Sequence, residues 1–248
     1  MPRAQQGGIT AFLLKWLFAL VVAAALLSAA SVLLLRWVDP WTSAYMVEQY
    51  WHAKSEHDNS YHTDFRWVSL EHISPHAAIA VVASEDQQFP FHAGFDLNSI
   101  RESVRASEHG RRLRGASTIT QQVAKNLFLW NGRSLVRKGI EAWFTVLIEL
   151  LWPKERTLEV YLNIIELGKG IYGVEAAAER FFHKRAAQLS SDEAATLAAV
   201  LPNPIRMHAD QPSPYVQSRR DAILVQMRAL GGATYLRALE KEPRPQRR

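Results

Sequence analysis

The chain has 248 residues, a formal net charge of +5 and a sequence pI near 9.6. That length allows one sizeable domain plus an accessory segment, and the lack of cysteine excludes a disulfide-stapled fold while fitting either redox compartment. The basic balance asks for an anionic partner: lipid headgroups, phosphates or nucleic acid.

Residues 1–15 read as a short tail. Trp16 to Leu35 is an uncharged run whose only hydroxyls are Ser28 and Ser31. At about 1.5 Å per residue it spans roughly 30 Å, the thickness of a hydrocarbon core. A cleaved signal peptide is the competing reading. The run is longer than the usual apolar segment of such a peptide, however, and Leu33-Leu34-Leu35-Arg36 is a poor cleavage site. Residues 16–36 are therefore expected to be a retained transmembrane helix, which ranks nucleic acid last among the anionic partners. Arg3 and Lys15 before the span favour a cytoplasmic N-terminus, and Trp37, Trp41 and Tyr45 supply an aromatic belt at the outer interface.

Residues 37–70 form a connector too rich in Trp, Tyr and Phe for a free linker. Residues 71–232 carry helical patterning and form the main domain. Ser74-Pro75 opens a helix through Ala77–Ala83, wholly apolar and so buried on all sides, that ends at Ser84-Glu85-Asp86. Thr118 and Gln121 make a capping box, and Ser134 caps a helix from Leu135 to about Trp152, stopped by Pro153. A helix is expected from near Arg156 to Leu167, closed by Gly168 and Gly170, and another after Tyr172-Gly173. Ser190 and Glu193 form a second capping box, and a last helix covers about 214–230. Residues 233–248 are a C-terminal helix and basic tail, charged and disordered from Glu240 on. Strand-like alternation is nearly absent, so the fold class is mainly α.

Glu85 and Asp86 sit where the apolar helix runs out, and a carboxylate leaving a dry helix end toward a cleft has a raised pKa suited to proton transfer. An adjacent acidic pair is more often a solvated helix end, but Phe89, Phe91 and Phe95 imply that this loop is packed. Gly115 to Gln122 is dense in small hydroxyls and carboxamides without charge, poor core material and an unusual solvated face. It suits a groove for a sugar chain or a phosphate. Lys125 and Arg133, with that Gln/Thr/Ser lining, are placed to hold a pyrophosphate, the bland alternative being two solvated surface cations. Arg137, Glu141, Thr145 and Glu149 recur every four residues, one polar stripe on an apolar rod. Either Arg137 and Glu141 are an ordinary helical ion pair, or Glu141 is a second carboxylate facing the cleft of Glu85, as glycosyl transfer and hydrolysis require.

Together these residues resemble a known family. Glu85-Asp86-x-x-Phe89-x-x-His92-x-Gly94-x-Asp96, then Gly115-Ala116-Ser117-Thr118-Ile119-Thr120-Gln121-Gln122, then Arg137-Lys138-x-x-Glu141 are similar to three motifs of the peptidoglycan glycosyltransferases of family 51. Lys154-x-x-Thr157-Leu158-Glu159-x-Tyr161-Leu162-Asn163 with Gly170-x-Tyr172-Gly173 resembles a fourth, and Glu193-Ala194-Ala195-x-Leu197-Ala198 up to Leu201-Pro202-Asn203-Pro204 a fifth. The likeness covers about residues 40–230. It implies a lysozyme-like, two-lobed, mainly helical domain beside the bacterial inner membrane, with its catalytic part in the periplasm. The implied reaction polymerises lipid II into β-1,4-linked glycan, releases polyprenyl pyrophosphate and inverts the anomeric carbon.

On this resemblance Glu85 is the catalytic base and Glu141 the second catalytic glutamate. Lys125 and Arg133 stabilise the pyrophosphate. Ser117, Thr118, Gln121 and Gln122 line the donor groove, with Asp86, Phe89, His92, Gly94, Arg137, Lys138, Asn163 and Tyr172 completing the substrate site. No cofactor is required, no metal ligand is assigned, and a divalent cation (magnesium or manganese) near the pyrophosphate is left open. The implied partners are lipid II, the growing strand, the inner membrane, and penicillin-binding and divisome proteins. Trp41 stands where a proline is expected before Thr42, a departure confined to the connector. No Ser-x-x-Lys with a later Lys-Thr-Gly is present, so a transpeptidase domain is not expected. The rivals are a membrane-anchored muramidase or lytic transglycosylase, which needs no cationic cluster, and a non-catalytic scaffold.

Overall fold

The computed structural model describes residues 4–96, 101, 117–132 and 134–241; Gly115, Ala116, Arg133 and the tail residues 242–248 lie outside the described residues. The described chain is mainly helical: α1 (Ala4–Leu35), α2 (Ala44–Ser55), α3 (Pro75–Glu85), α4 (Ile119–Phe128), α5 (Leu135–Leu151), α6 (Lys154–Ile164), α7 (Gly173–Phe182), α8 (Ser191–Val200) and α9 (Pro214–Ala229), followed by a 3₁₀ segment at Gly232–Lys241.

Two helical groups share one continuous core. In the first, α3 packs on α8, α9 and the 3₁₀ segment. Every residue from Ala77 to Ala83 is buried, and six of these seven side chains are alanine or valine, small enough for three neighbours to close around one rod. In the second group, α4 packs on α2, α5 and α6, and α1 lies along α5. The start of each helix is set locally. Ser74, Thr118, Ser134, Ser190 and Ser213 accept hydrogen bonds from the first-turn amides of α3, α4, α5, α8 and α9, and Thr118–Gln121 and Ser190–Glu193 close reciprocal capping boxes.

The fourth expected helix is shorter than its sequence suggests. It ends at Ile164, and Glu166–Gly168 is instead strand β2, antiparallel to β3 (Ile171–Tyr172), which pairs in parallel with β1 (Asp64–Phe65). Ile165 and Leu167 are both buried, so their two-residue spacing, rather than helical spacing, faces the core. Gly173 permits the return into α7: its φ is +81°, and a Cβ there would lie 2.4 Å from the Asn163 carbonyl oxygen. The connector is itself folded, contributing α2 and β1. Trp37 and Trp41 are exposed, whereas Tyr45 turns inward and donates to Glu166 Oε2 at 2.8 Å.

The end of α1 is stitched to the body. Its last carbonyls have no intrahelical donor. Trp152 Nε1 donates to Val32 O at 2.7 Å, and buried Arg156 donates to Leu35 O (3.1 and 3.0 Å) and Val38 O (2.9 Å) while pairing with Asp39 and Glu159. In return, Arg36 Nη1 reaches Leu151 O at the end of α5, at 2.6 Å. Upstream of this junction, Phe12–Leu35 is long and apolar enough to cross a membrane, and most of its side chains are uncovered.

Candidate active site

Glu85 is the last residue of α3, where the first helical group meets the second. The loop that follows is pinned to the start of α4 by Asp86. This buried carboxylate accepts the Ile119 N–H at 3.0 Å, an anion placed at a helix N-terminus. His92 Nε2 lies 2.9 Å from both Asp86 oxygens, and His92 Nδ1 accepts the Gly94 N–H at 3.1 Å. With Nδ1 accepting, the ring proton sits on Nε2 and is donated to Asp86. Thr118 Oγ1 donates to Gly94 O at 2.7 Å and accepts from Gln121 N–H, while Gln121 Oε1 accepts the Thr118 N–H at 3.0 Å. Phe89 is wholly buried, with the Lys154 ammonium 4.7 Å above its ring and paired in turn with Glu149. Asp86, Phe89, His92, Gly94, Thr118 and Gln121 are thus brought together as a brace that holds Glu85 against α4.

The carboxylate of Glu85 faces α4 and α9. Gln122 Nε2 donates to its Oε2 at 3.0 Å, Tyr161 OH donates to Gln122 Oε1 at 3.2 Å, and Arg219 Nη2 stands 3.9 Å from Oε1. Burial pushes the Glu85 pKa above the ordinary carboxylate value; the Gln122 hydrogen bond, then the Arg219 charge and the Lys125 charge, pull it back, and Asp86 adds to the rise. The balance is a raised pKa, the direction expected for a carboxylate at a dry helix end. Tyr161 and Arg219 escaped the sequence reading as members of this constellation. Tyr161 stood among quoted motif residues without a role, and no local pattern singles out Arg219 on a polar helix.

The four-residue stripe of α5 points inward. Glu141 is 3% exposed and Thr145 fully buried. Lys138 Nζ donates to Glu141 Oε1, and Arg137 Nη1 lies 3.4 Å from Glu141 Oε2. Arg137 Nε and Nη1 are buried without a hydrogen-bond acceptor among the described residues, so the 3.4 Å approach is an ion pair and not a hydrogen bond. Lys125, one turn along α4 from Gln122, feels both Glu85 and Glu141. Its pKa is lowered, first by burial and then by the neighbouring Arg137 and Lys138 charges, against the opposing pull of the two glutamates. Its ammonium has no ion-pair or hydrogen-bond partner among the described residues. Lys125 therefore lies in the field of both carboxylates, Glu85 and Glu141.

Ser117, just before the Thr118 cap of α4, is exposed. Asn163 and Tyr172 are both fully buried. The Asn163 carboxamide bonds Val68 N, Val68 O and Glu159 O, and the Tyr172 hydroxyl meets that of Tyr61 at 3.0 Å. No group of three His, Cys, Asp or Glu able to hold a metal ion occurs among the described residues. Glu141 is already matched by Arg137 and Lys138, so these side chains do not build a divalent-cation centre.

The sequence profile of the family described as Transglycosylase matches residues 53–228. The chain is 52% identical over 225 residues to the biosynthetic peptidoglycan transglycosylase of Xanthomonas axonopodis pv. citri, covering 91% of this chain and 92% of that one. It is 50% identical over 212 residues to the protein of the same name from Xylella fastidiosa, covering 86% and 87%. With a carboxyl group held at a dry helix end beside Lys125 and Arg219, and with these relatives matched along nearly their whole length, the chain belongs to the transglycosylase family.

Proposed function

We propose that the protein polymerises lipid II into β-1,4-linked glycan strands, releasing polyprenyl pyrophosphate with inversion at the donor's anomeric carbon. The observation that carries this reading is the cluster of cations near Glu85: Lys125, with no ion-pair partner among the described residues, and Arg137, whose buried Nε and Nη1 have no hydrogen-bond acceptor there. A glycan hydrolase has no anion to put there; a pyrophosphate leaving group supplies one.

In the reaction, Glu85 takes the proton of the acceptor sugar's 4-hydroxyl as that oxygen attacks the donor anomeric carbon. The new C–O bond forms as the bond from that carbon to the pyrophosphate oxygen breaks, and the electron pair leaves with the pyrophosphate. Lys125, Arg137 and Lys138 stabilise that charge, Arg133 joins them by family resemblance, and Glu141 holds Arg137 and Lys138 in place. Gln122 and Ser117 face the donor. Asp86, Phe89, His92, Gly94, Thr118, Gln121, Asn163 and Tyr172 shape the groove from behind. No step is routed through a metal.

The same reading places α1 across the inner membrane and the body on its periplasmic side, where the lipid-linked substrate shares the plane of the anchor. The junction at Arg156 and Trp152 supports a retained anchor, because removing α1 would orphan buried donors that belong to the body.

Incubating the purified protein with lipid II, and separately with isolated cell wall, tests the proposal. Glycan growth from lipid II that falls by about 10²-fold or more in Glu85→Gln is expected. Loss of polymer from the wall with no growth from lipid II would establish a hydrolase instead.

A further inference from the structure

We propose that Tyr161 and Arg219 are positioning residues that aim Glu85 so that one defined oxygen, Oε1, receives the acceptor's proton. The inference rests on the reading of Glu85 as the base.

The two oxygens of Glu85 are not equivalent. Oε2 is committed to Gln122 at 3.0 Å, and Gln122 cannot rotate freely because its own oxygen accepts from Tyr161 at 3.2 Å. An ionised carboxylate only accepts, so the amide nitrogen must face it and the amide oxygen is left for the tyrosine hydroxyl. Tyr161 is wholly buried on α6, and burial raises its pKa far above the working range, so it stays a donor throughout. Oε1 accepts no hydrogen bond among the described residues. Arg219 stands 3.9 Å from it, close enough for attraction and too far to hydrogen-bond, and Arg219 is held at that distance by its Nε, which donates to Ala199 O at 3.1 Å. One oxygen is thus restrained and the other left open beside a fixed cation.

Among the described residues the groups that face Glu85 are Asp86 on its own helix end, Gln122 and Lys125 on α4, Tyr161 on α6 and Arg219 on α9. Lys125 is coupled in turn to Glu141, Arg137 and Lys138 on α5. Arg219 and the Gln122 bond both favour the ionised form of Glu85. Weakening either therefore raises the pH needed to ionise the base, and kcat/KM loses activity from its acidic side first.

The test is the pH profile of lipid II polymerisation by full-length Arg219→Gln, Arg219→Lys and Tyr161→Phe, with thermal unfolding measured on each. Arg219→Gln is expected to shift the acidic limb upward by about 0.5–1 unit, a modest value because Arg219 is partly solvated. Arg219→Lys should recover part of that shift, keeping the charge but losing the simultaneous grip on Ala199 O. Tyr161→Phe should shift the limb in the same direction and lower kcat severalfold with little change in KM. An acidic limb unmoved in both Arg219→Gln and Tyr161→Phe would overturn the proposal, even if both variants were slow. Full activity in Glu85→Gln would instead remove the base assignment beneath it.

Discussion

Gly94 shows how tightly the loop after Glu85 is fitted. A Cβ on this residue would lie 2.7 Å from Glu149 Cγ and 2.9 Å from Thr145 Cγ2, and its φ of +79° is itself unfavourable for any side chain. Strain and overpacking together make Gly94→Ala cost about 2–4 kcal/mol, or roughly 5–15 °C in the unfolding midpoint; an unchanged midpoint in a thermal melt would mean the loop is free to move. At this scale the candidate site was half legible. Glu85, Lys125 and Glu141 were visible because charge in an apolar or uncharged setting is conspicuous. The contacts that give Glu85 its geometry were not, since Tyr161 and Arg219 reach it from elements far along the chain and neither stands out among its neighbours. The brace was visible as a motif but not as a brace: Asp86, His92 and Thr118 look alike in sequence whether they face a substrate or each other.

The elements were far more legible than the residues. Cap chemistry is local, so Thr118–Gln121 and Ser190–Glu193 announce their helices without help from the fold. The hairpin at Glu166–Tyr172 was missed because two buried residues two apart, Ile165 and Leu167, fit the end of a helix as well as a short strand. Helix α5 reverses the usual pattern of a surface helix. Its polar stripe faces inward, and Leu135, Val136, Trp143, Val146 and Leu150 face out, with Leu150 74% exposed. On the proposed reading of α1 as a membrane span, this outer face lies at the lipid interface. The chain has no cysteine, so Leu150→Cys can carry a single nitroxide. In vesicles that label should be relaxed by oxygen and shielded from aqueous reagents, with Ser218→Cys behaving oppositely; equal aqueous access at both sites would place α5 in water.

At the scale of the molecule, the parts are held by a few buried polar groups at their seams. Arg156 is the densest of these, joining Leu35, Val38, Asp39 and Glu159 and lying 5.1 Å over the Trp67 ring. Arg156→Met leaves two carboxylates and two carbonyls without their donor, a loss of about 3–5 kcal/mol and roughly 6–20 °C in the unfolding midpoint. Protease cleavage between residues 36 and 43 should appear in that variant alone; a stable, uncut variant would show that the junction is held by apolar contacts.

If α1 spans the bilayer as proposed, that hydrogen-bonded junction couples the span to the body, and the consequence is mechanical. A flexible leash would let the groove find the bilayer surface whatever the thickness of the hydrocarbon. A clamped rod cannot. When the lipid is thicker or thinner than the apolar length of α1, the rod must tilt or the bilayer deform, and the groove tilts with it, lifting or lowering Glu85 relative to the headgroups. On that reading, membrane thickness sets the working height of Glu85, much as the length of a post sets the height of what it carries.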